Sequence, residues 1–212
     1  MIFDFMNTNL REKDRDERLK IKTVGRDDTF SDEYRFPYEP TPYSVLERLC
    51  DSGLIGESDV VLDYGCGKGR VGFYLSYSRG VKTIGVEYDA RIYQDALENK
   101  GSCVSGVNAD FILANAENYE VSVEVNRCYF FNPFSVEILR RAMSRIIDSY
   151  YSAPREILLF FYYPSDEYMG YLMTLDELEF YDEIDCGDLF DGNDKRERIL
   201  VFSLPYYGKD QL

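Results

Sequence analysis

The chain has 212 residues, 45% of them apolar and 30% charged, with a net charge of −15 and no histidine. That length supports one domain with a full core and is short for two, and the composition excludes wholesale disorder. So much negative charge makes a poor general binder of nucleic acid, whose phosphates are held by Lys and Arg; it favours a small molecule or a basic protein segment as partner.

No apolar run approaches the roughly 18–20 residues needed to span a bilayer. The first residues carry an acid at Asp4 and turn polar quickly, which is not a secretory signal. No membrane association and a cytoplasmic location are therefore expected. The five cysteines, Cys50, Cys66, Cys103, Cys128 and Cys186, are scattered and form no CxxC pair. Without histidine the common zinc-ligand sets are excluded, so no metal is expected and the thiols are read as reduced. The small basic clusters at Lys195–Arg198 and Arg140–Arg145 read as solvated faces.

In chain order, residues 1–40 are expected to form an N-terminal arm or lid segment, and residues 41–212 the main, ligand-binding domain. Residues 11–20 interleave both charge signs with little apolar face, which predicts a short exposed helix or a mobile arm. Three prolines in 37–43 predict extended or turning backbone. Ser44, with Glu47 three residues on and Val45, Leu46 and Leu49 as apolar positions, predicts a helix start. From residue 59 strands and helices alternate. A strand at 59–64 leads through a glycine loop into a helix at 70–78. A strand at 82–88, a helix at 90–100 and strands near 111–116 and 126–131 follow. A helix at 135–151 has Ser135 as its candidate cap and an apolar stripe of Ile138, Leu139, Ala142, Met143, Ile146 and Ile147. Residues 156–163 read as a fully buried strand. Two further β runs, 178–186 and 199–204, are joined by a polar turn. This alternation predicts an α/β fold with a doubly wound, mostly parallel sheet and an antiparallel hairpin at one edge.

The chemistry concentrates at residues 60–70, VVLDYGCGKGR. A buried strand runs into Gly65, Gly67 and Gly69, and a helix begins at once. Glycines there permit positive φ and close approach of a ligand to the backbone. The helix N-terminus adds unpaired N–H groups suited to a carboxylate or phosphate. The dinucleotide pattern G-x-G-x-x-G requires glycine at position 70, which is Arg70. A phosphate-binding P-loop requires a glycine at position 62 and Ser or Thr after Lys68, and neither is present.

The pattern that fits is D-x-G-x-G-x-G, at Asp63, Gly65, Gly67 and Gly69. Here the chain resembles the class I S-adenosyl-L-methionine (SAM)-dependent methyltransferases, over roughly residues 40–204. The resemblance implies a three-layer, Rossmann-like, seven-stranded sheet with an antiparallel C-terminal strand. It implies SAM as cofactor, held by Asp63, Tyr64, Gly65, Cys66, Gly67 and Gly69. Glu87, at the end of the second strand and about twenty residues past the loop, stands where a carboxylate accepts from both ribose hydroxyls; the alternative is a solvated acid at a strand end. Asn115 and Ala116 stand where the family contacts the adenine amine. The Asn115 side-chain oxygen is able to accept from that amine, and Asn is equally apt as a turn residue.

Asn132, Pro133 and Phe134 follow the fourth strand, where many amino-group methyltransferases carry N-P-P-[YF] or D-P-P-Y. The resemblance makes Asn132 an acceptor-positioning group and Phe134 an aromatic wall. Only one proline is present, so the motif is partial, and a strand terminus closed by a proline turn is the alternative. The methyl acceptor expected is an amino nitrogen of a protein or small molecule rather than nucleic acid. Oxygen or carbon acceptors, and a catalytically silent SAM-binding module, stay open. Tyr38 and Tyr43 are candidates for a lid over SAM, with ordinary packing against the sheet as the alternative.

Overall fold

Apolar stretches rich in β-branched and aromatic residues pair into a sheet, and the amphipathic segments between them cover its two faces. The structure, a computed structural model, describes residues 2–27 and 36–206. Its elements are α1 (Ile2–Leu19), α2 (Tyr43–Asp51), β1 (Val60–Tyr64), α3 (Arg70–Arg79), β2 (Lys82–Glu87), α4 (Ala90–Ser102) and β3 (Ala109–Leu113). The second half adds β4 (Arg127–Phe130), α5 (Val136–Ser152), β5 (Ile157–Tyr162), α6 (Asp166–Leu172), β6 (Glu179–Asp185) and β7 (Arg198–Leu204).

The seven strands lie in the order β3-β2-β1-β4-β5-β7-β6. The pairs β1–β2, β1–β4, β2–β3 and β4–β5 are parallel, and β7 runs antiparallel to both β5 and β6. This is the mostly parallel, doubly wound sheet with an antiparallel last strand that the sequence predicts. The core divides by strand alternation. On β5, Leu158, Phe160 and Tyr162 pack with Leu46, Phe73 and Ala96 from α2, α3 and α4. Leu159 and Phe161 face Leu139, Met143 and Ile146 of α5 and Tyr168 and Leu172 of α6. Phe160 is fully buried at the centre. Phe160→Ala is expected to lower stability by about 3–5 kcal/mol, read as a shift of the urea midpoint.

Three local departures from the sequence pattern are instructive. Helix α2 begins at Tyr43 behind Pro42, with no side-chain cap; Ser44 lies inside it, and Glu47 pairs with Arg15 instead of closing a capping box. Helix α6 does not show in the pattern because seven residues give barely two turns of periodicity; Ser165 caps it, accepting from Tyr168 N at 3.2 Å. Helix α1 is docked through its C-terminal half rather than exposed. Asp16 is buried and accepts from Thr23 N, Thr23 Oγ1, Val24 N and Tyr43 Oη, while Leu19 and Ile21 enter the core. A buried polar network and a solvated face have the same residue types, so composition alone does not separate them. No described helix is long and apolar enough to cross a membrane.

The chain visits β1, β2 and β3 in one direction and then returns to place β4 on the other side of β1. The carboxyl ends of β1 and β4 therefore part at a topological switch point, where a crevice opens.

Candidate active site

The glycine loop is built by backbone bonds before any ligand is considered. Gly65 N and Cys66 N both donate to Val86 O, at 2.9 and 3.1 Å, tying the loop to the end of β2. Gly65, Gly67 and Gly69 all have positive φ, of 69°, 56° and 89°. Each also lacks a side chain that packing forbids. A Cβ on Gly65 would lie 2.3 Å from Pro133 Cβ, and one on Gly67 would lie 2.2 Å from the Tyr38 ring. On Gly69 it would meet Phe111 at 2.5 Å. The loop is thus packed against protein at these three points while its other side faces the crevice.

That crevice is a cavity of about 450 Å³. Its floor is Asp63, Tyr64, Gly65 and Cys66, and one wall is Glu87 with Asp89 and Ile92. Asn115 and Ala116 close one end, and Phe131, Pro133 and Phe134 form the opposite wall. A strap of residues 36–41 runs along the rim. Tyr38 Oη donates to Thr23 O at 2.6 Å, and Tyr38 pairs with Asp27 through two backbone hydrogen bonds. Of the residues expected at the cofactor, Asp63, Tyr64, Gly65, Cys66, Glu87, Asn115 and Ala116 line the cavity. Gly67 and Gly69 do not: Tyr38 covers the first and Phe111 fills the space beside the second.

Electrostatics single out Asp63. It is 3% exposed, and its Oδ2 has no hydrogen-bond partner. Burial, reinforced by the charge of Glu87, pushes its carboxyl up to about 8. Glu87 is also raised by burial, but three backbone donors oppose the shift. Oε1 accepts from Tyr88 N and Asp89 N at 2.8 and 2.9 Å, and Oε2 accepts from Gly67 N at 2.9 Å. An ionised carboxylate oxygen offers about two acceptor sites, so Oε1 is filled and Oε2 keeps one. Asn115 Oδ1 accepts from Glu117 N at 3.2 Å, the local bond of a turn-forming Asn.

The β4 end is more constrained than its motif suggests. Asn132 has φ 38° and does not line the cavity. Its Nδ2 donates to Tyr163 O and its Oδ1 accepts from Ser165 N at 3.3 Å, so the side chain braces the loop after β5. Phe134 is buried edge-on against Tyr64 and Phe130, with its carbonyl held by Tyr168 Oη at 2.6 Å. Phe131 packs at a tilt of 47° against Tyr162, whose hydroxyl donates to Glu197 at 2.7 Å; Tyr163 Oη donates to Asp194 at 2.6 Å. Tyr43 is no lid: it is fully buried, with the Arg70 guanidinium 4.4 Å from its ring centre. Sequence reasoning passed over Arg70 and Phe131, which line the cavity. The only signal for Arg70 is a charge opening a helix whose next residues are apolar.

Solved methyltransferase structures are similar to this fold. A TehB-like SAM-dependent methyltransferase from Corynebacterium glutamicum matches at TM-score 0.54 and 18% identity, over 74% of this chain and 85% of that one. An RNA methyltransferase from Salinibacter ruber, solved with S-adenosylhomocysteine, matches at TM-score 0.54 and 17% identity, over 82% and 99%. The chain has the class I SAM-dependent methyltransferase fold. By sequence, a protein-lysine N-methyltransferase of Saccharolobus islandicus is 31% identical over 88 residues, which are 41% of this chain. The matched region spans about half of that relative, at 53% of its length. No family model matches the chain.

The residues at the switch point of this methyltransferase fold suit SAM. An orphaned, buried carboxylate at Asp63 calls for a cationic group such as an α-ammonium. The open acceptor site on Glu87 suits a ribose hydroxyl, and the cavity end at Ala116 suits a flat base.

Proposed function

We propose that this chain is a SAM-dependent methyltransferase acting on an amine nitrogen of a protein or small molecule. The observation that carries the reading is the unpartnered Asp63 carboxylate under the glycine loop, in one cavity with Glu87. Leaving such a group buried is costly unless a ligand completes it. Asp63 holds the ammonium of the cofactor, Glu87 Oε2 accepts from one ribose hydroxyl while steadying Gly67, and Asn115 and Ala116 border the adenine.

SAM supplies a methyl group already activated on a sulfonium. The protein's task is alignment and exclusion of water. Phe131, Pro133 and Phe134 form the dry wall, and Asn132 holds that wall by bracing residues 163–165. There is no histidine to act as base, so a proton leaving the methylated nitrogen passes to a carboxylate, a tyrosine, a cysteine, a lysine or water. An amine acceptor is supported by the net charge of −15, by Asp194 and Glu197 beside Tyr163 and Tyr162, and by the protein-lysine relative.

One observation favours a second reading, a SAM-binding module without turnover: the Asn132 amide is already engaged at both ends. Incubation with methyl-labelled SAM and fractionated extract separates the two. Transfer to a basic protein or amine fraction is expected, and tight S-adenosylhomocysteine binding with no labelled product in any fraction points to the silent module. In the active case, Asn132→Ala keeps S-adenosylhomocysteine affinity within about twofold and loses about tenfold or more in kcat. Full turnover by this variant removes Asn132 from the mechanism.

A further inference from the structure

Besides its bonds to Val86 O and Glu87, the glycine loop is held from α4. Asn99, 4% exposed, donates through Nδ2 to Lys68 O at 3.0 Å. The same amide meets the backbone of residue 22 twice: Oδ1 accepts from Lys22 N at 2.7 Å, and Nδ2 donates to Lys22 O at 3.2 Å. An amide nitrogen has two hydrogens to donate, and both are used here. Residues 20–24, which follow α1, are bound in turn by other groups. Asp16 accepts from Thr23 N and Val24 N, Ser102 Oγ donates to Lys20 O at 2.7 Å, and Tyr38 Oη donates to Thr23 O at 2.6 Å. Because the Tyr38 ring covers Gly67, this segment reaches the loop at two points, Gly67 through Tyr38 and Lys68 through Asn99. The Lys68 side chain is drawn the same way, with Nζ 3.1 Å from Asp95 Oδ2, one helical turn before Asn99.

We infer that Asn99 is a positioning residue for the glycine loop, and that through it the docking of residues 20–24 and the binding of the cofactor strengthen one another. This rests on the SAM reading of the site. Lys68 lies between two glycines of positive φ, Gly67 at 56° and Gly69 at 89°. Glycine tolerates many backbone conformations, so the direction of the Lys68 carbonyl has to be set from outside the loop. With Asn99 in place the loop is ordered before the ligand arrives; without it, ordering the loop subtracts from the binding free energy. The coupling is reciprocal, because a segment that strengthens ligand binding is itself held more tightly by the ligand, and by the same factor. The N-terminal segment thereby becomes a control element of the cofactor site, with Asn99 as the joint.

The test combines calorimetry of the full chain with S-adenosylhomocysteine and amide hydrogen exchange with and without that ligand. In the wild type, saturating ligand is expected to slow exchange of the Lys22, Thr23 and Val24 amides about tenfold beyond any slowing in the edge strand β6. Asn99→Asp keeps the size of the side chain but turns an acceptor toward the carbonyls of Lys22 and Lys68. Asn99→Leu removes all three bonds without adding charge. Both variants are expected to bind S-adenosylhomocysteine about tenfold more weakly and, when saturated with it, to lose the excess slowing at residues 22–24. A side chain that only supports the fold would lower the melting temperature and leave both readouts unchanged in the folded variants; that result overturns the proposal. So does a wild type in which the ligand slows residues 22–24 no more than β6, whether or not either variant folds. A wild type that does not bind S-adenosylhomocysteine overturns the cofactor reading itself, a separate outcome.

Discussion

Replacing Asp63 with asparagine is expected to cost about a hundredfold in S-adenosylhomocysteine affinity while the chain stays folded. The size follows from removing a buried, unpartnered carboxyl placed to meet the ligand ammonium, where low exposure strengthens the charge interaction. The pH dependence is the sharper signature. In the free protein the Asp63 carboxyl is pushed up to about 8 from an ordinary 3.8. The folded chain therefore holds a proton that the unfolded chain releases between those values. Stability from this group is full below about 4 and is lost as pH rises through about 8. Free wild type should thus lose melting temperature from pH 5 to 9 relative to Asp63→Asn, which has no such proton. Ligand binding runs the other way, because an ammonium selects the ionised carboxylate. Affinity should rise about tenfold per unit from pH 6 to 8, with proton uptake by the buffer visible in calorimetry. A wild-type affinity flat across that range, or equal to that of the asparagine variant, removes Asp63 from the site.

Gly67→Val is expected to weaken S-adenosylhomocysteine binding by more than about a hundredfold. Two penalties coincide. Gly67 has φ 56°, where a β-branched residue is a genuine outlier, and its Cβ would fall 2.2 Å from the Tyr38 ring. Tyr38 has little room to yield, since its hydroxyl is bonded to Thr23 O. Relief of either penalty by itself leaves the other, so the loop and its bond from Gly67 N to Glu87 are disturbed together. The milder Gly67→Ala tests the packing share: pairing it with Tyr38→Ala should restore part of the loss, leaving roughly 1 kcal/mol from the backbone conformation. Calorimetry on the valine variant, with circular dichroism to confirm folding, decides the matter; wild-type affinity in the folded variant breaks the link between the loop and the ligand.

The strands were legible because β1, β2, β4 and β5 are buried on both faces and read as mostly apolar runs, with clear helical periodicity after β4 in α5. Asp63 and the glycines were legible for a related reason, since a strand that ends in a string of small residues has few structural uses. Asn132 shows where local pattern stops. Its type and place fit an acceptor-orienting role, yet its partners at Tyr163 and Ser165 come from a loop about thirty residues away. Tyr38 and Tyr43 sit in one proline-rich stretch and look alike in sequence; one rides on the glycine loop and the other lies under Arg70. Arg70 itself was invisible as a site residue because its partners come from α1 and the residues after it, and nothing in the spacing links residue 12 to residue 70.

The antiparallel course of β7 has a consequence for how such a protein diversifies. Because β7 runs against β5, with Ile199 opposite Tyr162, the connection from Cys186 to Glu197 is delivered to the same end of the sheet as the cavity. The groups proposed to face the nucleoside lie between Asp63 and Ala116, whereas Asp194 and Glu197 arrive from the β6–β7 connection and are tied to the end of β5 through Tyr163 and Tyr162. On the proposed reading, insertions or charge swaps in that turn would change the face offered to an acceptor while leaving the residues around Asp63 and Glu87 in place.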